Sequence, residues 1–398
     1  MNLNDVVVIS GVRTPMGRFG GTLKDMPVYD LGAIAIGEAL RRVNLKGEDI
    51  DDVILGSCRQ AGNGPNPART ASVRGGIPKS VPSITLNMAC PSGMRALALA
   101  SQSIMLGESE IVMVGGFDSM STIPYLLKDV RWEGFKMGDK VILDGWSDSI
   151  DPLCSMGMGQ TAENLVEKYK ISRAEQDEFA LSSHQKAAKA QDEGWFDEEI
   201  VPVKVPQKKG ESIVFSKDET IRRDTTLEKL TKLPSAFKKD GTVTAGNACG
   251  MSDGAVALVV TSRAKAKEIG AKPLFSIVSY AQAAVEPSHM GEGPSLSIPL
   301  ALKKANMTLD NMDFIEVNEA FAVQILANEK ILRWNREKLN VHGGAIALGH
   351  PTGISGARIL LTLYNIMRIH NGEIGIAGIC GGGGVSMATI IKREVGTT

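Results

Sequence analysis

Cys90 closes the strand-like run Ser83-Ile84-Thr85-Leu86-Asn87-Met88-Ala89 and is followed by Pro91, after which helical spacing continues to Gly107. Proline is favoured at the first helical position, so Cys90 is expected to be the N-cap, at the positive end of the helix dipole, where a thiol ionises more readily. An inert buried thiol is the commoner fate of a cysteine; the strand-to-helix junction points instead to a nucleophile. His350 stands in Gly343-Gly344-Ala345-Ile346-Ala347-Leu348-Gly349-His350-Pro351-Thr352-Gly353, again just ahead of a proline-initiated helix. A helix N-terminus opposes imidazolium, so this ring is expected to be neutral near pH 7, able to accept a thiol proton or to donate to a carbonyl oxygen. Cys380 leads into Gly381-Gly382-Gly383-Gly384 between two strand-like runs. Such a turn exposes backbone N–H groups that can hold a developing oxyanion. Asn318 ends the run Ile315-Glu316-Val317 and can orient a water or a substrate carbonyl, or equally cap a helix. Among the other histidines, His184, His289 and His370 are weaker candidates, and His342, beside Gly343, could support the same site.

These residues need elements to hold them, and the sequence supplies two similar sets. Ala39-Leu40-Arg41-Arg42-Val43-Asn44-Leu45 aligns without gaps on Ala301-Leu302-Lys303-Lys304-Ala305-Asn306-Met307. The match continues with Ile50-Asp51 on Met312-Asp313 and Val53 on Ile315. Further on, Cys90-Pro91-Ser92-Gly93-Met94 falls on His350-Pro351-Thr352-Gly353-Ile354, and Ile111 to Gly115 on Ile376 to Cys380. Three matches in order predict two copies of one unit about a pseudo-two-fold axis. Strand ends and helix starts meet near such an axis, which gathers Cys90, His350 and Cys380. Within the units, Val6–Ile9, Val53–Leu55, Ile111–Val114, Val256–Val260 and Ile315–Val317 read as buried strands. Leu31, Ile34, Ala35, Ala39, Leu40 and Val43 read as one helical stripe, so the fold class is α/β.

Composition narrows the function classes. The chain has 398 residues, 43% hydrophobic and 22% charged, enough for a large core in two or three domains. Its 44 Lys and Arg nearly cancel 45 Asp and Glu, leaving a net charge of −1. No global field recruits nucleic acid or an anionic membrane. The cysteines Cys58, Cys90, Cys154, Cys249 and Cys380 lack metal-site spacing and read as reduced thiols, so no metal is expected. Without an apolar leader or a long apolar stretch, the expected location is the cytoplasm. Between the units lies a more polar stretch, Ser121 to Asn247. A capping box, Ser172-Arg173-Ala174-Glu175, opens a helix there that runs toward Gly194. From Val201 to Asp240, ten Lys or Arg face six acids, a local positive patch that is either a solvated face or a contact for a phosphate-bearing ligand.

Taken together, Cys90-Pro91-Ser92-Gly93-Met94-Arg95-Ala96, Asn318 to Ala322, Gly343 to Gly353 with Ser355-Gly356-Ala357-Arg358, and Cys380 to Gly384 resemble the motifs of the thiolases, most of all the acetyl-CoA acetyltransferases. The likeness spans nearly the whole chain and includes Gln176 to Ala180 and Gly241 to Asn247. It implies duplicated βαβαβαββ halves in five layers, α-β-α-β-α, with an inserted loop domain. The division is residues 1–120 completed by 248–272, a loop domain at 121–247 for coenzyme A and oligomer contacts, and 273–398. It implies a reversible thiolysis or Claisen condensation, acetoacetyl-CoA plus CoA to two acetyl-CoA. The rivals are a degradative thiolase for longer 3-ketoacyl-CoA chains and a condensing synthase that works on an acyl carrier protein; Cys380 stands against the latter. A catalytically silent CoA-binding scaffold is the reading from a different class.

Carried over, Cys90 is acylated and His350 takes its proton. His350 also forms one oxyanion hole with a water held by Asn318, and the amides of Cys90 and Gly382 form the other. Cys380 acts as acid and base. Coenzyme A, a substrate rather than a cofactor, would meet Arg222 at its phosphates and Phe237, Ala245, Ala248, Cys249, Met290 and Phe321 along the pantetheine. Family members are dimers or tetramers. Five features depart from the pattern: Pro91 for a small residue, Cys249 for Ser, Gly157-Met158-Gly159 for His-Met-Gly, a shorter glycine run after Cys380, and Phe117-Asp118 for Met-Glu.

Overall fold

A computed structural model describes residues 2–395. One sheet of ten strands runs through it. Nine strands lie along a single path: β1 (Val6–Arg13), β2 (Asp52–Gly56), β3 (Ser83–Leu86), β4 (Ile111–Ser119), β5 (Ser252–Ser262), β6 (Phe275–Ala284), β7 (Phe314–Val317), β8 (Ile374–Cys380) and β9 (Val385–Arg393). Their order is β7-β8-β9-β6-β1-β5-β4-β2-β3, with the short strand Gly17–Arg18 attached to β5. Read outward from the centre, β1-β5-β4-β2 mirrors β6-β9-β8-β7. Within the sheet the halves meet at β1 and β6, where Val7 pairs with Ser276 and Val8 with Phe275.

The duplication reaches into detail. β1 shifts register against β5 between Val8 and Ser10, and β6 shifts against β9 between Ile277 and Ser279. The serine after each bulge donates to a helix: Ser10 Oγ to the Ala39 carbonyl and Ser279 Oγ to the Ala301 carbonyl, both at 2.7 Å. Those carbonyls belong to α1 (Val28–Arg42) and α6 (Gly293–Ala305), and the turns that follow the two helices contain Asn44 and Asn306, each with φ of 54°. Asparagine tolerates this left-handed conformation better than most residues. Asp51 Oδ2 then accepts from the N–H groups of Glu110 and Ile111, and Asp313 Oδ2 from those of Glu373 and Ile374. In both units one carboxylate ties the turn after the helix to the start of an inner strand.

Side-chain alternation builds the layers. Val112 and Val114 of β4 point into a core shared with Ala377 and Ile379 of β8 and with two central helices, α3 (Ser92–Leu106) and α8 (Ser355–Ile369). Ile111 and Met113 point the other way, onto α1 and α2 (Pro67–Arg74). On the second half, Ile376 and Ile390 face outward onto α6 and α7 (Ala322–Leu332). The result is the five-layer α-β-α-β-α arrangement. Strands covered on both faces read as continuous apolar runs, the reason the sequence marks them clearly.

The stretch from 121 to 247 includes α4 (Met158–Tyr169) and α5 (Arg173–Asp192). The latter carries the expected box, with Ser172 Oγ accepting from the Glu175 N–H. Leu165, Phe179, Ala180 and Val243 join the outer core of the second half. Arg13 of β1 holds the same stretch through buried ion pairs to Glu199 and Asp218, each at 2.7 Å. Among the described residues, no helix is long and apolar enough to cross a membrane.

Candidate active site

The two central helices deliver the two central residues. α3 begins at Ser92 with Pro91 as its N-cap, so Cys90 lies one position earlier than the N-cap expected of it. The turn before the helix is completed by Ser92, whose Oγ accepts from the Met88 N–H at 2.8 Å and donates to the Ala89 carbonyl at 2.6 Å. Ala89 adopts a φ of 52° to make that turn. The expected easier ionisation is also corrected. Burial pushes the Cys90 thiol up to about 11, and the Gly382 N–H, the Arg59 charge and the Cys90 N–H only partly oppose it. Desolvation outweighs the dipole at this depth.

His350 precedes a short 3-10 turn, Thr352–Ile354, that leads into α8. Its Nε2 is 3.2 Å from Cys90 Sγ. Burial, with Arg358 and Arg59 nearby, lowers its pKa to about 3, so the ring is neutral as expected. Behind it, Nδ1 lies 2.7 Å from Ser355 Oγ and 3.4 Å from Asn318 Nδ2. Asn318 is buried at the end of β7, its N–H bonded to the Gly378 carbonyl at 3.0 Å and its Oδ1 accepting from Arg358 Nη2 at 3.4 Å. Cys380, at the end of β8, is buried, and its thiol pKa is raised by that burial and by the neighbouring Cys90. Gly382 directs its N–H at Cys90, so the glycine run reaches the nucleophile despite its length. In the same run Gly384 has a φ of 80°, and a Cβ there would lie 2.2 Å from the Val285 carbonyl oxygen.

A cleft of about 710 Å³ joins these groups: Cys90, His350, Cys380 and Gly382 all line it. The residues expected along coenzyme A line it too, namely Arg222, Phe237, Ala245, Ala248, Cys249, Met290 and Phe321. Arg222 is exposed, donating its N–H to His184 Nδ1 and its Nη1 to the Ala245 carbonyl. Phe237 meets Phe321 edge-on at 6.1 Å. Gly159 permits that placement, since a Cβ there would fall 2.1 Å from the Phe237 ring. Cys249 donates its N–H to the Ala320 carbonyl, and burial pushes its thiol up to about 12. Asn318 is the one named residue outside the lining, because it stands behind the imidazole.

Other expectations do not hold. His342 does not reach this site: its Nε2 pairs with His370 Nε2 at 2.9 Å and its ring stacks on Trp195. Of the ten cations in the positive patch, Arg223, Lys229, Lys232 and Lys238 form ion pairs, and Arg222 is the member that lines the cleft.

Sequence reasoning missed two residues. Asp118, at the end of β4, accepts from Ser57 Oγ (3.1 Å), the N–H groups of Cys58 and Arg59 (3.0 Å each), Thr352 Oγ1 (2.9 Å) and the Gly353 N–H (2.5 Å). One carboxylate thus ties the loop after β2 to the loop that carries His350. Arg59, on the first of those loops, lines the cleft and bears a charge felt by both Cys90 and His350. No pattern in the sequence marked Arg59, whereas the Phe117-Asp118 departure was the available signal for Asp118.

A thiol beside a neutral imidazole, a second thiol and converging backbone N–H groups in one cleft suit acyl transfer between thiols. The comparisons agree. Residues 6–264 match the family description "Thiolase, N-terminal domain" and residues 271–393 match "Thiolase, C-terminal domain". The chain belongs to the thiolase family, and its enzymes are acyltransferases. It is 48% identical over 396 residues to a probable acetyl-CoA acyltransferase of Staphylococcus epidermidis, covering 98% of this chain and 99% of that one. A probable acetyl-CoA acyltransferase of Staphylococcus aureus is 48% identical over 393 residues, at the same coverage. Among solved structures, the Bacillus anthracis acetyl-CoA acetyltransferase superposes with a TM-score of 0.96 at 45% identity, covering 98% of this chain and 99% of that one. Human mitochondrial 3-ketoacyl-CoA thiolase gives 0.95 at 43% identity, covering 99% and 100%.

Proposed function

We propose that the chain catalyses the reversible thiolysis of acetoacetyl-CoA by CoA to two acetyl-CoA through an acyl-Cys90 intermediate. The observation that carries this reading is the 3.2 Å approach of His350 Nε2 to Cys90 Sγ in a cleft shared with Cys380. Nε2 takes the thiol proton as sulfur attacks the ketone carbon, and the oxyanion is held by the N–H groups of Cys90 and Gly382. The bond between the α-carbon and that carbon then breaks. Its electron pair passes to the α-carbon of departing acetyl-CoA, which Cys380 protonates. His350, with a water on Asn318, holds the enolate oxygen meanwhile. The Cys380 thiolate next takes the proton of an incoming CoA thiol, which attacks the thioester and frees Cys90.

Coenzyme A enters as a substrate along Phe237, Met290 and Phe321, with its phosphates toward Arg222. The division into 1–120 with 248–272, 121–247 and 273–398 belongs to the same reading; the place of β5 between β1 and β4 supports it. So do a homodimer or homotetramer and a cytoplasmic setting. A second reading, thiolysis of longer 3-ketoacyl-CoA, is favoured by further space beside the sulfur, a cavity of about 320 Å³. Assays of acetoacetyl-CoA beside a longer 3-ketoacyl-CoA separate the two. Cys90→Ala is expected to lower turnover by about 10⁴-fold or more and to abolish the covalent acyl adduct in intact-mass spectra. Retained turnover in that variant refutes the assignment.

A further inference from the structure

The 320 Å³ cavity opens onto the main cleft, with which it shares Arg59, Cys90, Ser149 and Gly382, and is further lined by Cys58, Asn87 and Asp151. An acetyl group on sulfur fills only a small part of it. The hydrogen-bonding capacity of the wall decides what suits the rest. Arg59 can only donate. Its Nη2 reaches Ser149 Oγ at 2.8 Å, its guanidinium lies over the Trp146 ring at 4.6 Å, and its Nε is buried without a partner among the described residues. Asn87 commits its Oδ1 to the Ala89 N–H at 2.9 Å, so its amino group is what remains for the cavity. Asp151 has both oxygens occupied, one by the Leu153 N–H at 2.9 Å and one by the Gly383 N–H at 2.7 Å. The lining therefore offers the donors of Arg59 and Asn87 beside the nucleophile, and it carries one charge of each sign, Arg59 with an unpartnered Nε and Asp151 with both oxygens already accepting backbone N–H groups.

We propose that this cavity takes the far end of an acyl chain that terminates in a carboxylate, held by Arg59 and Asn87. The substrate class is then the 3-ketoacyl thioesters of dicarboxylic acids. This rests on the thiolytic reading above and specifies the acyl group of its longer-chain form. Sulfur bonds to the ketone carbon, and the bond from that carbon to the α-carbon breaks. Acetyl-CoA leaves with the electron pair and a proton from Cys380. The ω-carboxyacyl group stays on Cys90, its tail in the cavity, until a CoA thiol displaces it and returns the sulfur. A carboxylate on a guanidinium forms charge-assisted, bidentate hydrogen bonds that a terminal methyl cannot replace.

The test compares kcat/KM for thiolysis of 3-oxoadipyl-CoA and 3-oxopimelyl-CoA with that of 3-oxohexanoyl-CoA, in the wild type, Arg59→Leu and Arg59→Lys. All react at the same sulfur, so any effect of a substitution on the thiolate cancels in the ratio. The wild type is expected to favour at least one carboxylate-ended substrate by about tenfold or more. Arg59→Leu is expected to bring that ratio to about one, and Arg59→Lys to keep part of it. A wild-type ratio near or below one, or a ratio unchanged by Arg59→Leu, overturns the proposal. Acetoacetyl-CoA is the parallel control: turnover of it alongside a flat ratio refutes only the carboxylate site. Absence of turnover on every substrate refutes the thiolytic reading, and the site with it.

Discussion

Ser355 fixes the tautomer of His350. The Ser355 hydroxyl donates to the Pro351 carbonyl at 3.1 Å, and a carbonyl can only accept, so the same oxygen is left to accept from His350 Nδ1–H at 2.7 Å. The lone pair of the neutral ring is then on Nε2, facing the Cys90 thiol. Replacing Ser355 by alanine releases that constraint. We expect kcat to fall on the order of tenfold with little change in KM, and Ser355→Thr to restore most of the loss. Steady-state kinetics of the two variants checks this, and a loss confined to KM contradicts it.

The resting pair is a neutral thiol beside a neutral imidazole, because burial raises the first to about 11 and lowers the second to about 3. Alkylation of Cys90 by iodoacetamide should therefore rise steadily from about pH 6 to about pH 10, as thiolate accumulates. A preformed thiolate–imidazolium pair would give a plateau beginning below about pH 6. Stopped-time alkylation followed by mass spectrometry distinguishes the two profiles.

Asp118 gathers five donors from two loops that belong to different halves of the molecule. Asp118→Ala leaves several of those donors unsatisfied. It should cost about 2–4 kcal/mol in urea unfolding and lower activity as well, since Thr352 and Gly353 follow His350 closely. Asp118→Asn keeps the shape and one acceptor oxygen and should fall between the two.

His342 is held neutral: burial, with His370 nearby, takes its pKa from 6.5 to about 3. In the unfolded chain the ring takes a proton below about pH 6.5, whereas the folded ring does so only near its lowered value. Its contribution to stability is present above pH 6.5 and is lost as the pH falls toward 3. Thermal midpoints measured from about pH 7 to pH 4 should decline in the wild type and decline less steeply in His342→Gln.

The sequence was most informative where local rules and tertiary structure agree. Strands covered on both faces announce themselves as apolar runs, as Ile111–Val114 does for the first part of the strand Ile111–Ser119, and the capping box at Ser172 starts its helix where expected. The repeat that set Cys90 opposite His350 led to the sulfur–nitrogen contact itself. Other features were hidden because they arise only in three dimensions. The dipole argument for Cys90 took no account of its depth, and depth reverses the sign of the shift. His342 lies close in sequence to the loop of His350, yet its ring turns away to stack on Trp195. Arg59 carries no signature at all, since what matters about it is a neighbour distant in the chain.

In the duplicated unit, Cys90 and His350 occupy matching places ahead of the two central helices. Two identical halves associating as separate chains would set the same side chain at both places, either a pair of sulfurs or a pair of rings, and neither pair contains a base facing a nucleophile. Fusion into one polypeptide is what allowed the two places to differ. The division of labour at the reacting carbon is thus a broken symmetry, one that no assembly of equal parts could hold.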